Sequence, residues 1–144
     1  MISSIGNIAV WVSDLERAER FYVDGLGLDV IARINTPDVH EVIVGRAGTG
    51  SQLMLASRPN GLGAESPAES PTSLLPLDGE APTGHWKSFL WSDDLGSDVA
   101  RALSAGASIV QAPTTLEQFG LTIAVIADQD GHFLELGQLT VTHP

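Results

Sequence analysis

The first strand-like stretch of the chain reads Ala9-Val10-Trp11-Val12-Ser13-Asp14-Leu15, and the second half carries a related stretch, Phe89-Leu90-Trp91-Ser92-Asp93-Asp94-Leu95. The tryptophan and the Asp-Leu pair three residues after it recur 80 positions later: Trp11, Asp14 and Leu15 match Trp91, Asp94 and Leu95. Residues 50–55 and 131–136 likewise share a glycine and two leucines, at an offset of 81. Two matches in the same order indicate an internal duplication, and a repeat of this kind organises the fold.

The first copy predicts the order βαβββ. Residues 8–12 are apolar and β-prone, which is typical of a strand. Ser13 and Glu16 have the spacing of a capping box, and an apolar helical stripe follows until Gly25 and Gly27. Further strands are predicted at 28–32, 40–46 and 52–57, because turn-forming residues separate these apolar runs.

The second copy predicts the same order. A strand at 86–92 precedes a helix that starts at Leu95 and stops before Gly106, and strands are predicted at 108–111, 121–127 and 132–138. Residues 58–84 are rich in Pro, Gly, Ser and Glu and are predicted to form a linker, which either covers part of a site or is disordered. We therefore predict one domain, 1–144, with module one at 1–57 and module two at 85–140.

Composition and charge restrict the classes of partner. The 144-residue chain has 18 acidic and 7 basic residues, a formal net charge of −11. A negative field repels nucleic acid and would attract a cationic ligand, although an acidic surface also serves solubility alone. Cysteine is absent, which excludes disulfides, thiolate metal sites and cysteine nucleophiles. Without a signal-like N-terminus or a long apolar run, the protein is expected to be cytoplasmic, with no membrane partner.

The opening segment 7–28, with its Phe21-Tyr22 and Gly25-Leu26-Gly27-Leu28 pairs, resembles the opening of vicinal oxygen chelate proteins. Residues 128–136, Asp-Gln-Asp-Gly-His-Phe-Leu-Glu-Leu, resemble their closing motif. The family includes glyoxalase I, bleomycin-binding proteins and extradiol dioxygenases. This resemblance implies an α+β fold in which tandem βαβββ modules form a curved mixed sheet with a central cup. It also implies a small-molecule ligand and, for many members, a homodimer.

The resemblance also implies four metal-ligand positions, two in each module. In this sequence they hold Asn7, Met54, Lys87 and Glu135. Only Glu135 is an ordinary ligand for a divalent ion, whereas Met54 offers a soft thioether and Lys87 is a cation that donates hydrogen bonds. We therefore expect no metal cofactor. A two-residue shift that would bring His85 toward the site is the one alternative.

Strand alternation places the side chains of the predicted site. Alternate residues of a strand share a face, so Lys87 shares a face with Phe89 and Trp91. Family geometry points that face into the cup, together with Asn7, Trp11, Met54, Phe133 and Glu135. We predict that the Lys87 ammonium pairs with the Glu135 carboxylate where the family holds its metal ion, unless both groups simply face solvent.

Three functions are compatible with this pattern. The first is metal-independent binding of an aromatic, and by net charge cationic, small molecule in contact with Asn7, Trp11, Met54, Phe89, Trp91 and Phe133. The second is catalysis by a lyase, isomerase or dioxygenase, in which Glu135 and Lys87 are the catalytic residues, with a divalent metal or with Lys87 in its place. The third is a non-catalytic accessory protein whose cup is filled by its own side chains.

Overall fold

The structure is a computed structural model that describes residues 8–58 and 87–140. Asn7, His85 and positions 59–84 of the predicted linker lie outside these residues. The predicted division into one domain with two modules stays a prediction for this reason. The bounds of the eight strands and two α-helices are β1 Ile8–Trp11, α1 Leu15–Arg20, β2 Asp29–Asn35, β3 His40–Gly45, β4 Gln52–Ser57, β5 Lys87–Trp91, α2 Leu95–Ser104, β6 Ser108–Leu116, β7 Leu121–Ala127 and β8 Phe133–Leu139.

Both modules have the predicted βαβββ order, and each forms a four-stranded sheet. The strand orders are β1-β4-β3-β2 and β5-β8-β7-β6. In each sheet the first strand pairs with the last strand in parallel, and the remaining pairs are antiparallel. The predicted α+β class with mixed sheets is therefore confirmed, and the two modules are related element by element.

Two predictions at the ends of elements, the end of β6 and the cap of α1, are wrong for identifiable physical reasons. The predicted strand at 108–111 stops before Pro113, yet β6 continues to Leu116. It is an edge strand whose pairing with β7 shifts register at Gln111 and Thr114, and a proline is tolerated at such a position. At the first helix, the predicted capping role of Ser13 is wrong, because the Asp14 carboxylate caps α1 by accepting from the Arg17 N–H at 2.9 Å.

A single hydrophobic core joins the two modules. One face of each sheet packs against the helices, and side chains such as Leu55 of module one and Leu134 of module two belong to one buried cluster. Phe21 and Tyr22 lie on a π-helical turn, Phe21–Gly25, and are buried. This turn contacts α2 of the other module. The opposite face of each sheet points away from the helices.

Within the described residues, no helix is long and apolar enough to cross a membrane.

Candidate functional site

The module-two face comprises the side chains that β5 and β8 direct away from the helices: Lys87, Phe89, Trp91, Phe133, Glu135 and Gly137. The pairing of the two strands fixes their order, because Lys87, Phe89 and Trp91 have Phe133, Glu135 and Gly137 as their Cα partners. Between them, Leu90, Leu134 and Leu136 pack into the core. Because alternate residues of a strand share a face, the predicted module-two residues lie together on one surface.

An ion pair lies at the centre of this face. The Lys87 ammonium contacts the Glu135 carboxylate, and the two side chains are 46% and 12% exposed. The predicted contact is confirmed. A nearly buried carboxylate is stabilised by a paired cation, because the unpaired charge would lose its hydration without compensation. The alternative in which both groups simply face solvent is wrong for Glu135, which is buried.

Two exposed aromatic rings continue the face beyond the ion pair. The Phe89 and Trp91 ring centroids are 4.9 Å apart, with the rings 72° to one another in an edge-to-face arrangement. Trp91 is 69% exposed, so it does not pack between the modules. A Cβ at Gly137 would collide with the Phe89 ring, which shows that the ring lies directly over this glycine. Gly137 was not singled out in the sequence, because only the strand register reveals the contact.

The corresponding module-one face is built from smaller side chains. Residues Ala9, Trp11, Met54 and Ala56 stand in register on β1 and β4. Ala9 and Ala56 correspond to Phe89 and Gly137, so the module-one face lacks the second aromatic ring. The Arg58 guanidinium lies 5.5 Å from the centroid of the Trp11 ring, in a cation–π contact. The two tryptophans of the duplication are therefore in different surroundings, one beside a cation and one beside a phenyl ring.

The described residues of the predicted site, Met54, Lys87 and Glu135, do not form a ligand set for a divalent metal ion. The Glu135 carboxylate already has the Lys87 ammonium as its partner. Met54 offers only a thioether, a ligand for soft ions. In residues 8–58 and 87–140, no group of three or more His, Asp or Glu side chains is placed to hold a metal. Lys87 stands where the family resemblance implies a ligand, and an ammonium there repels a cation.

A second polar cluster joins the modules. The Tyr22 hydroxyl donates to Asp128 at 2.8 Å, and His132 Nδ1 lies 2.7 Å from the same carboxylate. The Ser13 hydroxyl donates to Asp130 at 2.5 Å. We call these five residues the clasp. It connects the closing motif of module two to the opening motif of module one, so the two motifs that carry the family resemblance bind one another.

Burial and charge set the protonation states in the clasp. Burial alone raises the pKa of Asp128, but the hydrogen bond and charge of His132, and the Tyr22 hydroxyl, outweigh burial and lower this pKa. Burial lowers the pKa of His132, whereas the hydrogen bond and charge of Asp128 outweigh it and raise the pKa. Burial, followed by the charge of Asp128, raises the pKa of Tyr22. The charge of Asp130 also raises the pKa of His132.

A shallow groove of about 450 Å³ lies elsewhere, between the π-helical turn and α2. Its lining includes Gly25, Arg101 and Ala105, which are small or paired side chains on the helical side of the molecule. No predicted site residue lines it. The aromatic rings and the ion pair therefore identify the module-two face, and not this groove, as the candidate site.

Comparison with known proteins decides the family. The family model described as glyoxalase/bleomycin resistance protein/dioxygenase superfamily matches residues 4–136. The chain belongs to this superfamily. The resemblance seen in the opening and closing motifs is thus confirmed, and the match spans both modules of the superfamily fold. No protein with curated function matches the chain.

Solved structures share the fold. TnmS3, an antibiotic binding protein from Streptomyces sp. CB03234, is 25% identical with a TM-score of 0.66, over 96% of this chain and 97% of that one. A glyoxalase family protein from Bacillus cereus is 16% identical with a TM-score of 0.72, over 96% and 95% of the two chains. A glyoxalase I variant from Zea mays is 19% identical with a TM-score of 0.68. That alignment covers 94% of the present chain but only 46% of the maize chain.

Proposed function

We propose that this protein binds an aromatic small molecule on the sheet faces that carry Trp11, Phe89 and Trp91, without a metal ion. The observation that carries the proposal is the exposed Phe89–Trp91 pair beside a Lys87–Glu135 ion pair. Exposed aromatic rings grouped on one face of a small protein are typical of a binding surface. The likeness to TnmS3, an antibiotic binding protein, supports the same class of function. Asn7, Met54 and Phe133 are proposed as further ligand contacts.

Replacement of Trp91 tests the proposal. We expect calorimetry with a panel of aromatic antibiotics to find a ligand for the wild-type protein, and Trp91→Ala to weaken its binding at least about tenfold, because a stacked ring contributes ~1.5 kcal/mol or more. Phe119→Ala is the matched control. Phe119 is also 69% exposed but lies on a 3₁₀ turn outside the module-two face, so its loss should leave the affinity within about twofold.

Metal dependence is tested by two measurements on the same protein. Protein purified without chelators should contain no stoichiometric Zn, Ni, Mn or Fe by elemental analysis, and chelator should leave the affinity unchanged. Stoichiometric metal would contradict the ligand argument. Equal losses of affinity in Trp91→Ala and Phe119→Ala would contradict the assignment of the face.

The ion pair also suits a second function, catalysis by a lyase, isomerase or dioxygenase of the superfamily. The observation in its favour is a buried carboxylate, Glu135, held beside a half-exposed ammonium. Glu135 would act as a general base and Lys87 would stabilise developing negative charge. Glu135→Gln distinguishes the two functions. If the protein is an enzyme, the wild type consumes a bound compound and the variant does not; if it only binds, the concentration of the compound stays constant with both proteins.

We further propose that two copies of the chain pair to complete the cup. The aromatic faces of both modules point away from the core that the modules share, and the edge strands β2 and β6 expose Ile31, Ile34 and Ile109. Such apolar surface on a small protein favours association with a second copy. Light scattering should give twice the 15.1 kDa mass of the chain. A monomer at micromolar concentration would contradict the pairing. The cytoplasmic location stays a prediction.

A further inference from the structure

The two charged groups on the module-two face differ in how far a bound molecule could reach them. The Glu135 side chain is 12% exposed and has its cation in contact, whereas the Lys87 side chain is 46% exposed. An ammonium carries three N–H donors and no acceptor, so contact with one carboxylate leaves donors free. A ligand on this face therefore meets a hydrogen-bond donor with positive charge.

The ammonium and the two rings follow one another along the face. Lys87 is paired across the sheet with Phe133, but its ammonium reaches one step further, to Glu135, whose Cα partner is Phe89. The Phe89 ring lies over Gly137, the Cα partner of Trp91, and its centroid is 4.9 Å from that of the Trp91 ring. The charged group therefore lies on the same face one step before the two rings. A planar compound stacked on Trp91 would extend along β5 toward Lys87, and a substituent at that end of the compound would lie near the Lys87 ammonium.

We infer that the ligand of the module-two face is a planar aromatic compound with an oxygen substituent, a carbonyl or a carboxylate, that accepts a hydrogen bond from Lys87. This inference rests on the proposed binding function and narrows it. It also differs from the expectation drawn from net charge, which favours a cation. Charges more than about 8–10 Å away are largely screened at physiological salt, so the nearest group sets the preference.

Three probes with one ring system test the inference: 2-naphthoate, naphthalene-2-carboxamide and 2-naphthylmethylammonium. We expect calorimetry at neutral pH to show binding that is at least about tenfold tighter for the carboxylate than for the ammonium compound, with the carboxamide between them. The decisive variant is the double substitution Lys87→Gln with Glu135→Gln. It removes both charges without changing the net charge and leaves no unpaired carboxylate, so the chain should still fold.

The variants separate the inference from the binding function. In the double variant the preference for the carboxylate should shrink to about twofold or less, while the carboxamide still binds. In Glu135→Gln alone, the ammonium is released and the preference should persist or grow. Tighter binding of the ammonium probe, or a carboxylate preference that survives the double substitution, would overturn the inference and leave aromatic binding intact. Failure of all three probes to bind wild-type protein would count against the binding function itself.

Discussion

Asp128→Ala is expected to lower the free energy of unfolding by roughly 3–5 kcal/mol, the usual cost of removing one partner from a buried pair. Asp128 is 7% exposed, and its carboxylate accepts from Tyr22, from the His132 ring and from the backbone N–H groups of residues 130 and 132. Its loss leaves the buried Tyr22 hydroxyl without its acceptor and removes a charge that raises the pKa of His132. Because a domain of this size is stable by only about 5–15 kcal/mol, the variant should unfold at a much lower urea concentration.

The same clasp predicts how stability depends on pH. A carboxyl group with a lowered pKa stabilises the folded state above its unfolded value, 3.8 for Asp128, and this contribution is lost as pH falls through the folded-state pKa. An imidazole with a raised pKa contributes fully below its unfolded value, 6.5 for His132, and this contribution is lost as pH rises through the folded-state pKa. The clasp should therefore contribute most between about pH 4 and pH 6.5.

Urea unfolding across this range, with NMR titration of the His132 ring, measures both effects. In Asp128→Ala the pKa of His132 should fall below its wild-type value, and the loss of stability above pH 6.5 should flatten. Asp38→Ala is the control, because Asp38 is an exposed turn residue and its removal should change stability by no more than about 0.5 kcal/mol. A wild-type His132 that titrates below 6.5, or a difference between Asp128→Ala and Asp38→Ala of less than 1 kcal/mol, would contradict the account of the clasp.

Gly25→Ala is expected to destabilise the protein by about 1–3 kcal/mol, although alanine is the better helix former. A Cβ at this position would stand 2.6 Å from the Cβ of Ala105, where the π-helical turn of module one meets the end of α2. Alanine gains about 1 kcal/mol of helix propensity over glycine at most, whereas overpacking at a rigid helix contact costs about 1–3 kcal/mol and displaces backbone. The steric cost should win, and Gly25→Val should be worse.

Two further variants isolate the steric cause. Gly96→Ala lies in α2 itself with its nearest neighbour atom 3.8 Å away, so it should stabilise the protein by about 0.5–1 kcal/mol. Ala105→Gly in the Gly25→Ala background removes the opposing methyl group and should recover most of the lost stability. Thermal or urea unfolding of the wild type and these variants measures the differences. Destabilisation that Ala105→Gly fails to relieve would place the fault in the backbone of the turn instead of the contact between the modules.

The fold was predictable because its signals are local and repeated. Apolar alternation located the strands, and the duplication gave their order twice. The Lys87–Glu135 contact was predictable for the same reason, since the two positions follow from matching the first and last strand of one module. These inferences need only a period of two and a register within one sheet.

The clasp and Gly137 could not be predicted, because they depend on contacts between elements whose relative placement the sequence does not state. Asp128 and His132 lie in a turn motif, and a turn is a sufficient explanation for both residues until Tyr22 is seen against them. Gly137 reads as a weak point in a strand, and only its register with Trp91 shows that the Phe89 ring covers it. The cap at Asp14 was missed because Ser13 and Asp14 are both good capping residues.

The length of chain that separates the clasp residues has a consequence for synthesis. Tyr22 and Asp128 are 106 residues apart, and the core that contains Leu55 also contains Leu134 and Leu136. When module one leaves the ribosome, the acceptor for its buried hydroxyl and much of the surface that covers its helices have not yet been translated. Module one therefore cannot complete its core until nearly the whole chain has emerged, and we expect the two modules to fold together in one late step.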